Sequence, residues 1–148
     1  MRYPRIVEGL LVRQTKSKGH GLFAQREYKK GSVLLLVQGL RIGDDDKRLT
    51  HRAVQIDKHS FIEPRRFSGI WYLNHCCEPN AYMEMKKLVA RRDIKKGEEI
   101  TADYSLFTSF SAWDMECACK TSSCRKLILP YGKLEKRPKT FVSSYLLQ

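Results

Sequence analysis

The apolar segments of this chain are all strand-length. Ile6 to Val12, Gly21 to Ala24, Ser32 to Val37, Ala53 to Ile56, Tyr82 to Met85, Leu88 to Ala90 and Ile100 to Tyr104 are short runs bounded by turn residues. No segment carries a sustained apolar stripe at helical spacing. Phe67 to Leu73 and Phe107 to Met115 offer at most a turn or two of helix each. Lys18-Gly19-His20-Gly21, Lys29-Lys30-Gly31-Ser32 and Lys95-Lys96-Gly97-Glu98 place a glycine at a basic corner, as a tight reversal between paired strands requires. The pattern predicts a mainly β fold of several small sheets with irregular connections. At 148 residues the chain is one domain long, enough to bury roughly 70% of the surface of its unfolded form. No window approaches the roughly 18 apolar residues of a membrane span, so no membrane partner is expected.

Charge narrows the setting. Lys and Arg total 28 against 16 Asp and Glu, a net charge of +12. The excess sits in the first 30 residues, around Lys86 to Lys96 and after Lys120, whereas acids gather in loops such as Gly43-Asp44-Asp45-Asp46. Such a balance suits polyanionic surroundings and makes non-specific nucleic-acid contact an expectation, although a solvated basic face is the plainer reading. None of the common DNA-reading motifs is present. The basic start lacks the apolar run and cleavage site of a secretory signal, which predicts an intracellular protein with reduced thiols.

Reduced thiols turn the five cysteines toward metal binding. Residues 72 to 82 read Y-L-N-H-C-C-E-P-N-A-Y, and Cys117-Ala118-Cys119 is followed by Cys124. The Pro and the two Asn make the first stretch a structured loop. In an extended segment residues i and i+2 face one side, so Cys117 and Cys119 can clasp one ion while Lys120 to Ser123 swings Cys124 to a third position. Four thiolates close a tetrahedral zinc site, with the fourth from the Asn-His loop, Cys76 or Cys77. Buried free thiols are the alternative, but Lys120-Thr121-Ser122-Ser123 is loop material and not core. A closed structural site would pin the C-terminal segment to the loop and leave no position for metal catalysis.

Four stretches in order, Gly19-His20-Gly21-Leu22-Phe23-Ala24, Asn74 to Asn80, Gly97 to Tyr104, and Cys117 to Arg125, resemble the signatures of SET-domain protein lysine methyltransferases with a post-SET zinc motif. The resemblance covers residues 19 to 125. It implies a SET fold of small sheets around a knot-like threading of the Asn74 loop and Ile100 to Tyr104, with a SET domain over 1–116, an insert at about 40–70, and a post-SET zinc segment with a tail over 117–148. It implies S-adenosylmethionine as methyl donor and structural zinc as metal. The family loop reads Asn-His-Ser-Cys-x-Pro-Asn, so Cys77 matches the zinc ligand and Cys76 stands where serine is usual. The implied ligand set is Cys77, Cys117, Cys119 and Cys124. Tyr104 matches the catalytic tyrosine, and Gly19, His20, Gly21, Asn74 and His75 match cofactor-binding positions.

The implied partner is a protein presenting a lysine, in particular a histone or another chromatin-associated or basic protein, with nuclear or chromatin localisation in a eukaryote and cytoplasmic otherwise. Asn80 and Asp103 are expected to hold loops, and Trp113 to close over the site. Two departures stand out: Val37-Gln38-Gly39 where many members place a tyrosine, and Ala102 where they often place Phe or Tyr. The latter enlarges the lysine channel or makes Tyr82 a substitute, and leans toward di- or trimethylation. The cysteine-rich segment that precedes the domain in many histone-directed members is absent from these residues, which implies a compact stand-alone enzyme. An inactive SET-like chromatin-binding module and a basic zinc protein that binds nucleic acid are the competing expectations. Oligomeric state is open, since Phe141 to Leu147 can dock on the domain or pair with another copy.

Overall fold

The computed structural model describes residues 8–109 and 113–147. The Ile6-Val7 start of the first expected strand, residues 110–112 of the expected helical stretch, and Gln148 lie outside the described residues. In chain order the strands are β1 (Leu10–Gln14), β2 (His20–Ala24), β3 (Val33–Leu36), β4 (Gly39–Gly43), β5 (Val54–Gln55), β6 (Ser60–Pro64), β7 (Asn74–His75), β8 (Ala81–Glu84), β9 (Lys87–Ala90), β10 (Glu99–Ala102), β11 (Met115–Glu116) and β12 (Leu127–Ile128). They form four small sheets, β1-β2-β10-β7, β3-β9-β8, β4-β6-β5 and β11-β12, so the architecture is mainly β as the run lengths predict.

The basic-glycine corners do what their composition implies. Gly19, Gly31 and Gly97 all take positive φ, which side-chain-bearing residues rarely adopt. Gly19 closes the β1–β2 hairpin, its carbonyl accepting from the backbone N–H and the hydroxyl of Thr15 at 2.6 and 2.8 Å. β1 and β2 pair antiparallel from Leu10↔Ala24 to Gln14↔His20, and β2 then pairs with β10 through Leu22↔Ile100. Their inward residues Leu22 and Ile100 lie fully buried beside Leu88, Ile94 and Met83 of neighbouring elements, and this apolar cluster holds the small sheets together.

Three sequence expectations need correction. Asn74-His75, read as loop, is a two-residue strand running parallel to β10, with Thr101 opposite Asn74 and Ala102 opposite His75. The run Ile100 to Tyr104 does not stay extended to Tyr104. The strand ends at Ala102, Asp103 accepts the backbone N–H of Ser105, and Tyr104–Leu106 forms a single 3-10 turn. Phe107 to Met115 shows no helix in its described residues, and Met115 joins β11; Phe67 to Leu73 keeps only the 3-10 turn Gly69–Tyr72.

The C-terminal tail docks on the domain. Val142, Leu146 and Tyr131 bury against Leu106, and Ser143 and Ser144 bond Met85 N–H and the Glu84 carboxylate. Of the two fates open to the Phe141 to Leu147 run, the chain itself supplies the first.

Candidate functional site

The site grows from the junction of β7 and β10. Asn80 clamps β10 from below: its amide donates to Glu99 O at 2.8 Å, and its oxygen accepts the Thr101 N–H at 2.9 Å. Asn74, across the parallel pair, gives both amide hydrogens away, to His20 O at 2.8 Å and Glu99 Oε1 at 2.9 Å. Its Oδ1 makes no hydrogen bond among the described residues. Glu99 Oε2 in turn takes Lys18 Nζ at 2.9 Å. A Cβ on Gly21 would sit 2.6 Å from Glu99 Oε1 and 3.2 Å from Asn74 Nδ2, so this close approach needs a glycine.

Tyr104 stands at the end of this pair. It is 6% exposed, its hydroxyl donates to the Leu73 carbonyl, and burial pushes its pKa up to about 12. The phenol is therefore a neutral hydrogen-bonding group at physiological pH. Its backbone N–H donates to His75 Nδ1 at 3.1 Å. That bond fixes the tautomer: Nδ1 is the acceptor, so the proton sits on Nε2, which lies 3.4 Å from Cys77 Sγ. Burial lowers the His75 pKa to about 4, against the opposing pull of Asp103. The imidazole is neutral, and its 3.6 Å approach to Asp103 is no ion pair. The carboxylate of Asp103 is answered instead by Arg125, at 2.6 Å, which also reaches Ser105 Oγ at 3.1 Å.

The sulfur atoms of Cys77, Cys117, Cys119 and Cys124 lie within 4.8 Å of one another, and all five cysteines are free. Cys77 and Cys117 Sγ are 3.7 Å apart, close to the roughly 3.8 Å edge of a tetrahedron with metal–sulfur bonds of about 2.3 Å. A four-thiolate ion such as zinc fits this donor set. Cys76 is outside the cluster, its Sγ accepting the Glu78 N–H at 3.4 Å. Burial holds the Cys77 and Cys117 thiols above their ordinary range, so a metal must displace protons to bind.

Asn74, His75 and Tyr104 share one cleft of about 330 Å³ with Cys117 and Cys119, rimmed by Lys18, Arg52 and Lys120. Gly19, His20 and Gly21 do not line it. They stand behind its wall, joined to it through the His20 carbonyl and Asn74, with the His20 ring edge-on to Tyr72 at 6.2 Å. The rings around Tyr104 are His51 at 5.6 Å, His75 at 5.4 Å and Phe107 at 5.4 Å. Tyr82 is elsewhere, packed on Phe141, so it does not substitute for the aromatic missing at Ala102. His51 and Arg52 escaped the sequence reading, because nothing in Thr50-His51-Arg52-Ala53 distinguishes them from surface polar residues. Arg125, without a chemical role in the sequence, turns out to tie the cysteine segment to the Tyr104 turn. Its N–H also donates to Cys77 Sγ at 3.4 Å.

Comparison with known proteins shows what the chain is similar to. The chain is 31% identical over 146 residues to the "Variant-silencing SET domain-containing protein" of Plasmodium falciparum, covering 80% of this chain and 6% of that protein. It is 32% identical over 135 residues to the "Histone-lysine N-methyltransferase, H3 lysine-36 specific" of Debaryomyces hansenii, covering 78% of this chain and 18% of that protein. With "Histone-lysine N-methyltransferase ASHH3" of Arabidopsis thaliana it shares 29% identity over 157 residues, 91% of this chain and 41% of the relative. The chain thus spans less than half the length of these relatives. In fold it is similar to KRYPTONITE, solved in complex with mCHH DNA, an H3(1-15) peptide and SAH, with a TM-score of 0.66 at 20% identity over 84% of this chain and 30% of that one. Residues 19–105, more than half of the sequence, match the SET domain family, and the chain belongs to that family.

Proposed function

We propose that the chain is an S-adenosylmethionine-dependent protein lysine N-methyltransferase acting on a histone or another chromatin-associated or basic protein, and that in a eukaryotic source it works in the nucleus. The observation that carries this reading is the buried neutral phenol of Tyr104 at the end of the β7–β10 pair, opening on the cleft that Asn74 and His75 line. The names of its relatives and the H3 peptide bound to KRYPTONITE favour a histone.

S-adenosylmethionine supplies an electrophilic methyl group. The donors and acceptors present suit its polar end: Asn74 Oδ1 for the ammonium, Lys18 and Arg52 for the carboxylate, with the Gly19-His20-Gly21 strand start shaping the adjoining wall. The lysine amine must arrive neutral, from a reference pKa near 10.4, and in line with the methyl carbon. The Tyr104 hydroxyl spends its hydrogen on Leu73 O, so its lone pairs remain to orient amine and methyl hydrogens without a proton transfer. Residues 1–116 form the SET unit in this reading, and 117–148 the post-SET zinc segment and tail. Cys77, Cys117, Cys119 and Cys124 would hold zinc as a structural ion, which would tie the Cys117–Cys124 segment to the Asn74 loop beside the cleft.

The test is transfer of labelled methyl from S-adenosylmethionine to purified histones and to a nuclear extract, with labelled residues mapped by mass spectrometry. Lysine labelling is expected. Cofactor and histone binding without label would favour a catalytically inactive SET-like binding module.

A further inference from the structure

Five thiols gather at a site that needs four. Cys76 stands beside the cluster of Cys77, Cys117, Cys119 and Cys124 without belonging to it. Its place is fixed, since the Cys76 N–H donates to Ala102 O at 3.0 Å and the Glu78 N–H donates to Cys76 Sγ at 3.4 Å. The loop between Cys119 and Cys124 is tied to the same turn, because Glu78 Oε1 accepts the hydroxyls of Ser122 at 3.2 Å and Ser123 at 2.5 Å. These bonds bring the cysteine segment against Cys76, whose thiol meets that of Cys119. Cys77 faces elsewhere: its sulfur lies 3.4 Å from His75 Nε2, 3.7 Å from Cys117 Sγ and 3.4 Å from the Arg125 nitrogen. As chain neighbours, Cys76 and Cys77 also have Cα atoms only about 3.8 Å apart, short of the roughly 4.4 to 6.8 Å that an unstrained disulfide spans. Cys119 is therefore the thiol that Cys76 can join. It also lines the cleft of Asn74 and Tyr104, where a small solute reaches it.

A zinc ion closed by four thiolates has no place for a fifth. A serine at position 76 would accept the same N–H in nearly the same space, so the property that the thiol adds is two-electron oxidation. We propose that Cys76 and Cys119 are a hydroperoxide-sensitive pair, and that their disulfide removes one ligand from the zinc site and frees the Cys117–Cys124 segment. One thiolate sulfur attacks a peroxide oxygen, the O–O bond breaks, and the departing oxygen takes a proton and leaves as water, which gives a sulfenic acid. The second thiol attacks that sulfur, and its proton goes with the displaced hydroxide as a second water. The two sulfurs lose two electrons and hydrogen peroxide gains both. Zinc left with Cys77, Cys117 and Cys124 has lost its closed shell, and a segment ordered by the metal loosens with it. The fate of the metal rests on the zinc reading of the four cysteines, whereas the disulfide itself is separable from it.

The test uses the full chain, reduced and loaded with zinc, and treated with an equimolar amount of hydrogen peroxide. Released zinc is followed with a chromophoric chelator, and cross-linked peptides are mapped by mass spectrometry without reduction. The wild type is expected to release its zinc, to yield a Cys76–Cys119 cross-link, and to regain the metal after dithiothreitol and fresh zinc. Cys76→Ser is expected to hold zinc as firmly before oxidation and to release it at least about tenfold more slowly, since an intramolecular thiol acts at an effective concentration far above that of free thiols. Release from Cys76→Ser at the wild-type rate overturns the proposal. So does a map in which Cys76 stays reduced or is joined to Cys77. A Cys76–Cys119 cross-link in a chain that binds no zinc would keep the pair and sink the zinc reading.

Discussion

At the scale of single residues, two protonation states are set by hydrogen bonds and burial. Tyr104, with its pKa near 12, stays a neutral phenol throughout the range in which a lysine amine deprotonates. The rate of transfer at low substrate should therefore rise with pH toward the lysine pKa near 10 and show no inflection from Tyr104 below that. A pH–rate profile with a break at about 8 to 9 from an enzyme tyrosinate would contradict the neutral role. Sequence alone made Tyr104 and Asn74 visible through the motif. It could not show that both Asn74 donors are consumed by His20 and Glu99, because those partners lie 54 and 25 positions away in the chain.

At the scale of elements, the 3-10 turn of Tyr104 and the cysteine segment are tied by His75 and Arg125. Cys77→Ser should lose about one zinc per chain and raise the protease sensitivity of the segment after Cys117, while Cys76→Ser should keep the metal, as read by inductively coupled plasma mass spectrometry. Arg125→Ala leaves the Asp103 carboxylate buried without its guanidinium, which costs about 1 to 3 kcal/mol once the partial exposure of Arg125 is allowed for. The Asp103→Asn/Arg125→Ala double variant should recover part of that loss in thermal denaturation; simple additivity of the two changes would mean that the pair is not coupled. Strands with a clear apolar run, β1 in part, β2, β3, β5, β8, β9 and β10, were legible from the sequence. β4 and β6 were not, since Gly39 to Gly43 is mostly exposed and Ser60 to Pro64 mixes polar and apolar without alternation. β7, β11 and β12 have two residues each, too short for any periodicity, and exist because a neighbouring strand or the cysteine cluster holds them.

At the scale of the whole molecule, the chain carries a net charge of +12. Weak contact with nucleic acid, if it accompanies a chromatin substrate, should fall steeply with salt and be indifferent to Tyr104→Phe; binding that ignores salt would set the basic surface aside. The central claim is methyl transfer organised by Tyr104, and its most direct measurement is the single-turnover rate of lysine methylation by wild type and Tyr104→Phe, with S-adenosylhomocysteine affinity measured on both by calorimetry. The prediction is equal affinity, unchanged folding, and a rate lower by roughly 100- to 1000-fold in the variant, the scale seen when one positioned polar group is lost. Equal rates in the two proteins would contradict it.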